Sequence, residues 1–294
     1  MQKLHLGAAQ CALDLGDGSE RAEYVNQDYI LHKLGRPHRA IGIMYTYYPH
    51  DKQWPQRISK ACKDMNITFQ WDYPYDDYFP FNADGQPWEQ MRDIRRHGQD
   101  VALTLTLDCS LSDDELREVA RMLRPYGRMT IRINHECGGT WFTHNKRFTY
   151  EQVGKFFAHF SDIIHQEAPN VRTVFCAGFA QADGKLEKED EFAVAYRAAD
   201  VWSADCYLAL HYGWPYDVAE VGGGQYKADS VGMYYDMFRR TYERASSQFG
   251  AKPLVTAEFN TDGDVTGPRH QGESVIRFAE TFRDHKADWF KAIS

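Results

Sequence analysis

RMTIRINHECGGTWF, residues 128–142, starts as a strand and ends as something else. Ile131 and Ile133 alternate with Arg132 and Asn134, the period-two pattern of a pleated strand. His135, Glu136, Cys137, Gly138 and Gly139 follow at once, and Trp141 and Phe142 come two residues later. A packed strand that delivers a polar row and a glycine turn at its carboxyl end is built to present chemistry at its tip.

The same reading extends along the chain. Short apolar runs at 4–9, 40–46, 67–71, 129–134, 173–179, 201–207, 253–259 and 289–294 predict eight strands. Helical patterns lie between them, as at 54–65, 111–127 and 150–167. Ser112 followed by Glu115 predicts a capping box, and Gly127 a helix stop. Phe156, Phe157, Phe160, Ile163 and Ile164 repeat at helical spacing as an apolar stripe. Alternating strands and helices imply parallel strands with right-handed crossovers. Eight such units predict one α/β domain over 1–294, a (β/α)8 TIM barrel. A doubly wound open sheet is the alternative, but no G-x-G-x-x-G follows any strand. Two features sit outside the scheme. VALTLTL (101–107) alternates as a ninth strand, read as an extra segment between the third and fourth units. The last strand runs to the final residue with no closing helix, as in a domain trimmed at its C-terminal end.

Composition narrows the function. The 294 residues are 43% hydrophobic and 26% charged, ordinary for a soluble globular chain. A net charge of −8 argues against a nucleic-acid partner, because phosphate binding needs a basic surface. No apolar run reaches the roughly 20 residues that span a bilayer, so no membrane partner is expected. MQKLHLGAAQ at the N-terminus lacks the apolar stretch of a signal peptide. Seven Trp and eighteen Tyr suit a neutral, polyhydroxylated ligand, since their amphipathic rings offer both a stacking face and a polar tip.

The six cysteines form no C-x-x-C pair and read as buried thiols. Cys137, Cys176 and Cys206 all fall near predicted strand ends, which leaves a disulfide among them open. NTDGDVTG (260–267) lacks the downstream glutamate of an EF-hand and reads as a turn. His135, His144 and His211 match no zinc spacing, so neither a metal nor a cofactor is expected. The chain has no G-x-S-x-G and is not read as a serine hydrolase.

Barrel enzymes carry their chemistry at the carboxyl ends of the strands. Glu136 lies at such an end, and KPLVTAEFNT (252–261) repeats the arrangement with Glu258. By the eight-strand count these are the fourth and seventh strands, which face each other across a barrel mouth. A single strand-end glutamate is ordinarily a solvated carboxylate or a cap. Two facing ones are what glycoside hydrolysis requires: one protonates the departing oxygen, and the other attacks or activates water. Their surroundings must differ so that one stays protonated and the other ionised.

The stretch R-x-N-H-E-x-x-G-x-W-F resembles the acid/base motif of glycoside hydrolase family 26, a clan A family rich in β-mannanases. Arg132, His135, Glu136, Gly139, Trp141 and Phe142 match it. PNVRTVFCAGF (169–179) is similar to the family's fifth-strand segment. ADVWSADCY (199–207) resembles the sixth, with Asp205 and Tyr207 matching, and KPLVTAEF the nucleophile segment. The match runs in order through most of the chain and loosely through the first hundred residues. Cys137–Gly138 stands where the family has Met-Asn, and Phe259–Asn260 where a glycine is common, so the sugar preference stays open.

The resemblance implies Glu136 as general acid/base and Glu258 as nucleophile of a retaining β-glycoside hydrolase. It further implies that His135 orients the substrate or Glu136, that Tyr207 donates to Glu258, that Arg132 sits beneath it, and that Trp141 walls a sugar subsite. Taken alone, His135 reads as a core histidine and Asp205 as a loop anchor. The aromatic loops WDYPYDDYFPF (71–81) and HYGWPYD (211–217) offer Trp71, Tyr75, Tyr212 and Trp214 as stacking residues. Their bland reading is packed surface loops held extended by proline. The expected partner is a β-linked polysaccharide or oligosaccharide, β-mannan first, bound by a monomer. The alternatives are β-1,3-xylan or mixed-linkage β-glucan with the same two glutamates, and a glycan-binding barrel without catalysis. The sequence as it stands reads as cytoplasmic, and the family resemblance as extracellular if a signal peptide has been removed.

Overall fold

The computed structural model describes residues 5–6, 9–10, 12–13, 26–35, 38–51, 53, 86–139, 147–209, 230–261 and 268–293. The central sheet contains β3 (Ala12–Leu13), β4 (Ala40–Tyr47), β5 (Asp100–Leu107), β6 (Met129–Ile133), β7 (Val171–Phe179), β8 (Val201–Ala209), β9 (Leu254–Thr256) and β11 (Phe290–Ile293). Its order is β3-β11-β9-β8-β7-β6-β5-β4, and β10 (Phe259–Thr261) continues β9 along β8. Every pairing in this sheet is parallel. The seven strands of three or more residues on that path form a curled half-barrel of α/β type, and the two-residue β3 sits beyond β11. Strand order follows chain order without the reversal that defines a doubly wound sheet.

Two expectations about the strands are corrected. The first sheet strand is Ala12–Leu13, not 4–9; His5–Leu6 (β1) and Ala9–Gln10 (β2) instead pair with each other antiparallel. VALTLTL is no insertion. It is β5, paired over eight residues with β4 and in register with β6 on its other side. ITFQW (67–71) lies outside the described residues. Counted in chain order from β3, β6 is the fourth and β9 the seventh strand of the sheet path.

Helices cover the outer face: α1 (Gln27–Leu34), α2 (Gln86–Arg96), α3 (Asp113–Leu123), α4 (Tyr150–Glu167), α5 (Ala193–Ala198), α6 (Ser230–Phe249) and α7 (Pro268–Asp284). The Ser112–Glu115 capping box is formed in both directions, and Gly127 (φ 69°) ends the short 3-10 turn that follows α3. A second box, Thr149 with Gln152, starts α4. The phenylalanine stripe of α4 is buried, and Phe157 meets Phe175 of β7 edge-on at 4.7 Å. Phe175 also contacts Phe192 at 5.2 Å and Tyr196 at 4.9 Å. Each such ring contributes about 2 kcal/mol of apolar burial. Because successive side chains alternate across a strand, Phe175 pointing at the helices sends Cys176 to the inner face of the half-barrel.

Candidate active site

The site collects at the carboxyl ends of β6, β8 and β9, and three backbone irregularities aim its side chains. At the end of β6, Asn134 (φ 61°) and Glu136 (φ 39°) both occupy left-handed conformations. Asparagine tolerates that region; for glutamate it stores of order 1 kcal/mol of strain. Asn134 splices β6 to β5: its Oδ1 accepts from Leu107 N at 2.7 Å and its own N donates to Leu105 O at 3.0 Å. Between β9 and β10 the register against β8 slips by one residue, Ser203 facing Val255 but Cys206 facing Phe259. Glu258 lies in that bulge, with its carbonyl accepting from Cys206 N at 2.9 Å. A third slip occurs on β7 between Cys176 and Phe179, where Gly178 has φ 142°.

Arg132 is the organising charge. In register with Thr104, it donates from Nε to Thr104 Oγ1 at 3.0 Å. Its Nη2 donates to Glu258 Oε1 at 2.8 Å and to His135 Nδ1 at 2.8 Å, and Nη1 lies 3.7 Å from Asp205 Oδ1. A guanidinium can only donate, so His135 Nδ1 is the accepting nitrogen and its proton sits on Nε2. That Nε2 is 3.1 Å from Glu258 Oε1 and 3.9 Å from Glu136 Oε2. His135 therefore addresses Glu258 rather than Glu136. Burial, with help from Arg132, lowers its pKa to about 3, so it is neutral at pH 7.

The two glutamates experience opposite surroundings. Tyr207 Oη donates to Glu258 Oε2 at 2.6 Å, so both carboxylate oxygens of Glu258 are met by donors. Burial pushes this carboxyl up, but His135, Arg132 and Tyr207 outweigh it and hold the pKa at about 2. With His135 neutral, its share is the Nε2–H dipole, and Arg132 and Tyr207 carry most of the depression. Glu136 has a side chain only 10% exposed, against 23% for Glu258. Burial, then the charge of Glu258, raises its pKa to about 7; Asp205 and Arg132 pull the other way. An oxygen of Glu136 and one of Glu258 lie within 4.8 Å of each other.

Asp205 is fully buried beside Glu136, and burial followed by the charge of Glu258 holds its pKa above the usual range. It does more than anchor a loop. Its place was readable from the strand period, since Asp205 and Tyr207 are two residues apart on β8 and share a face. Thr104 and Glu187 carry no motif and were missed. Gly138, a departure from the family pattern, has a local reason. A Cβ there would fall 2.5 Å from Ala177 O.

Of the residues singled out in the sequence, the structure brings together Arg132, His135, Glu136, Tyr207 and Glu258. Trp71, Tyr75, Trp141, Tyr212 and Trp214 lie outside the described residues. Cys109, Cys137, Cys176 and Cys206 are free thiols, so the disulfide left open among the last three is not formed. His135, Glu136 and Glu258 are the only described residues clustered closely enough to hold an ion. The donor set suits one poorly: His135 turns Nδ1 to Arg132 and its protonated Nε2 inward, and the guanidinium beside Glu258 repels a cation. No described helix is long and apolar enough to cross a membrane.

No family model matches this sequence, and no curated protein matches it. Solved structures do share the fold. A GH26 beta-mannanase from Bacteroides ovatus superposes with a TM-score of 0.50 at 11% identity, over 88% of this chain and 73% of that one. A GH53 catalytic domain from Ignisphaera aggregans superposes with a TM-score of 0.50 at 14% identity, over 96% of this chain and 83% of the other. At such identities the likeness is one of fold, and this chain is similar in architecture to glycoside hydrolases.

Proposed function

We propose that this chain is a retaining β-glycoside hydrolase on a (β/α)8 barrel, acting on a β-linked polysaccharide with β-mannan as the first candidate. The observation that carries the reading is the pair of glutamates, oxygen within 4.8 Å of oxygen, with one pKa pushed up to about 7 and the other held at about 2. An inverting enzyme needs about 6.5–9.5 Å to seat a water between its carboxyls; a retaining one needs only about 5–5.5 Å. Glu258, ionised, attacks the anomeric carbon while the proton of Glu136 passes to the departing glycosidic oxygen. The glycosyl ester on Glu258 is then opened by a water that gives its proton to Glu136. Arg132 and Tyr207 hold Glu258 ionised and in place, and His135 fixes its orientation. Closure of the half-barrel into a full barrel is supported by the position of β3, the first sheet strand, next to β11, the last.

The choice of mannan rests on the sequence resemblance and on the fold shared with a β-mannanase, and β-1,3-xylan and mixed-linkage β-glucan are the other substrates to try. The test is a panel of mannan, galactomannan, β-1,3-xylan and mixed-linkage β-glucan, following reducing ends and the anomer first released. Hydrolysis of one of them with release of the β-anomer is expected. Release of the α-anomer would contradict retention, and binding without cleavage of any glycan would return the chain to the glycan-binding reading.

A further inference from the structure

We propose that Glu187 is a positioning residue of the acid/base group, a third carboxylate seated against two bare glycines to govern when Glu136 carries its proton. The loop after β7 places it there. Tyr196, itself fully buried, donates from Oη to Glu187 O at 2.8 Å. Leu186 N donates to Glu189 at 3.3 Å, and Glu189 is clamped by Arg244 at 3.0 Å. The carboxyl then lies across the turn that carries Glu136. A Cβ on Gly138 would fall 2.9 Å from Glu187 Cδ and 3.0 Å from Oε1. A Cβ on Gly178 would fall 2.2 Å from Oε2. Both approaches are closer than a real Cβ sits, so a side chain at either position would displace this carboxylate. The turn is held against β7 by Cys137 N to Cys176 O at 3.1 Å and Gly138 N to Ala177 O at 2.6 Å.

Glu136 is faced by Glu258 from the β9–β10 bulge, Asp205 from β8, Arg132 and His135 from β6 and its turn, and Glu187 from this loop. Beside Glu187 stand Glu136 and the hydroxyl of Tyr196, and Tyr196 in turn feels the thiols of Cys137 and Cys176 and the carboxyl of Glu189. Arg132 is committed to Glu258 and His135, and the repulsion of Glu187 favours the protonated form of Glu136. Burial and Glu258 do most to keep the acid loaded toward neutral pH, and Glu187 adds to them. Its kinetic consequence rests on the hydrolase reading; the coupling itself does not.

The experiment is Glu187→Gln, which keeps shape and removes charge, with Glu187→Asp as a variant that keeps charge but withdraws it. The Glu136 carboxyl is titrated by carbon NMR without substrate, using Glu136→Gln to assign the signal, and the pH profile of kcat/KM is recorded alongside. Glu187→Gln should move both the Glu136 midpoint and the alkaline limb to lower pH, with a roughly threefold loss of kcat/KM at pH 8 relative to wild type, and Glu187→Asp should lie between. An unmoved midpoint would overturn the proposal, even if activity fell, because a merely structural residue lowers activity at every pH alike. If the wild type cleaved no glycan while the midpoint still moved, the positioning role would stand and the hydrolase reading would fail.

Discussion

The end of β6 and the β9–β10 bulge present the same amino acid to the same mouth, yet they prepare it for opposite tasks. Glu258 enters through a register slip and meets a guanidinium at 2.8 Å and a phenol at 2.6 Å. Glu136 enters through a left-handed turn into a buried site, where the charges of Glu258 and Glu187 push it up and Asp205 and Arg132 only partly offset them. Burial pushes both pKa values up, and only at Glu258 do the surrounding donors outweigh it. What separates them is the list of donors. Remove the donors from Glu258 and the two glutamates should become more alike.

The largest effect should follow from deleting the ionised partner. Glu258→Ala should lower kcat by about 10⁶-fold, the scale seen when a nucleophile is lost, for every leaving group. It should also lower stability by about 3 kcal/mol in urea melts at pH 7, because Arg132 keeps only the more distant Asp205 as a counter-charge. Glu258 is depressed on folding, so its stabilisation is present above the ordinary carboxylate range and is lost as pH falls toward about 2. The contrast between Glu258→Ala and wild type in those melts should therefore shrink in acid. Equal melting at pH 7 would show that Arg132 does not depend on Glu258.

Glu136→Ala should cost about 10²–10⁴ in kcat with a poor leaving group and far less with an acidic phenol, which departs without a proton. With the phenol the variant should burst and then stall, because the intermediate forms but water is no longer activated. A penalty independent of the leaving group would remove Glu136 from the acid role.

How far could the sequence have shown this? The β6 stretch was legible because strand alternation, a polar row and a glycine turn lie within fifteen consecutive residues. The α3 and α4 caps were legible for the same local reason, as hydrogen bonds three residues apart. The order of strands around β5 was not, because the apolar pattern of 101–107 does not say which strand it joins; pairing with β4 and β6 does. Nor could spacing reveal that His135 turns Nε2 to Glu258, since Arg132 fixes the ring from the preceding strand. Glu187 was invisible in sequence because the two glycines it packs against lie on other segments of the chain.

Smaller effects sharpen the comparison. Tyr207→Phe removes one donor from Glu258 and should move the acid limb of kcat/KM to higher pH, while the alkaline limb set by Glu136 near 7 stays in place. Movement of both limbs together would mean that the two carboxyls titrate as one unit.

The mildest test concerns stability. Glu136 has a raised folded pKa, so the folded state holds a proton that the unfolded chain has lost. Stability is therefore lowered progressively as pH rises from the ordinary glutamate range through about 7. Glu136→Gln should raise stability by roughly 2 kcal/mol at pH 8 and by almost nothing at pH 4. A gain at both pH values would point to packing instead of charge.

The division of labour between the two glutamates is tested most directly by azide, a nucleophile that needs no general base. With an activated β-glycoside, Glu136→Ala still forms the ester on Glu258, and azide attacks it from the face opposite that carboxylate, giving the β-azide. In Glu258→Ala, azide takes the vacated space and attacks from the nucleophile's side, giving the α-azide. Opposite anomers from the two variants are the predicted result. The same anomer from both would contradict the assignment of acid/base to Glu136 and nucleophile to Glu258.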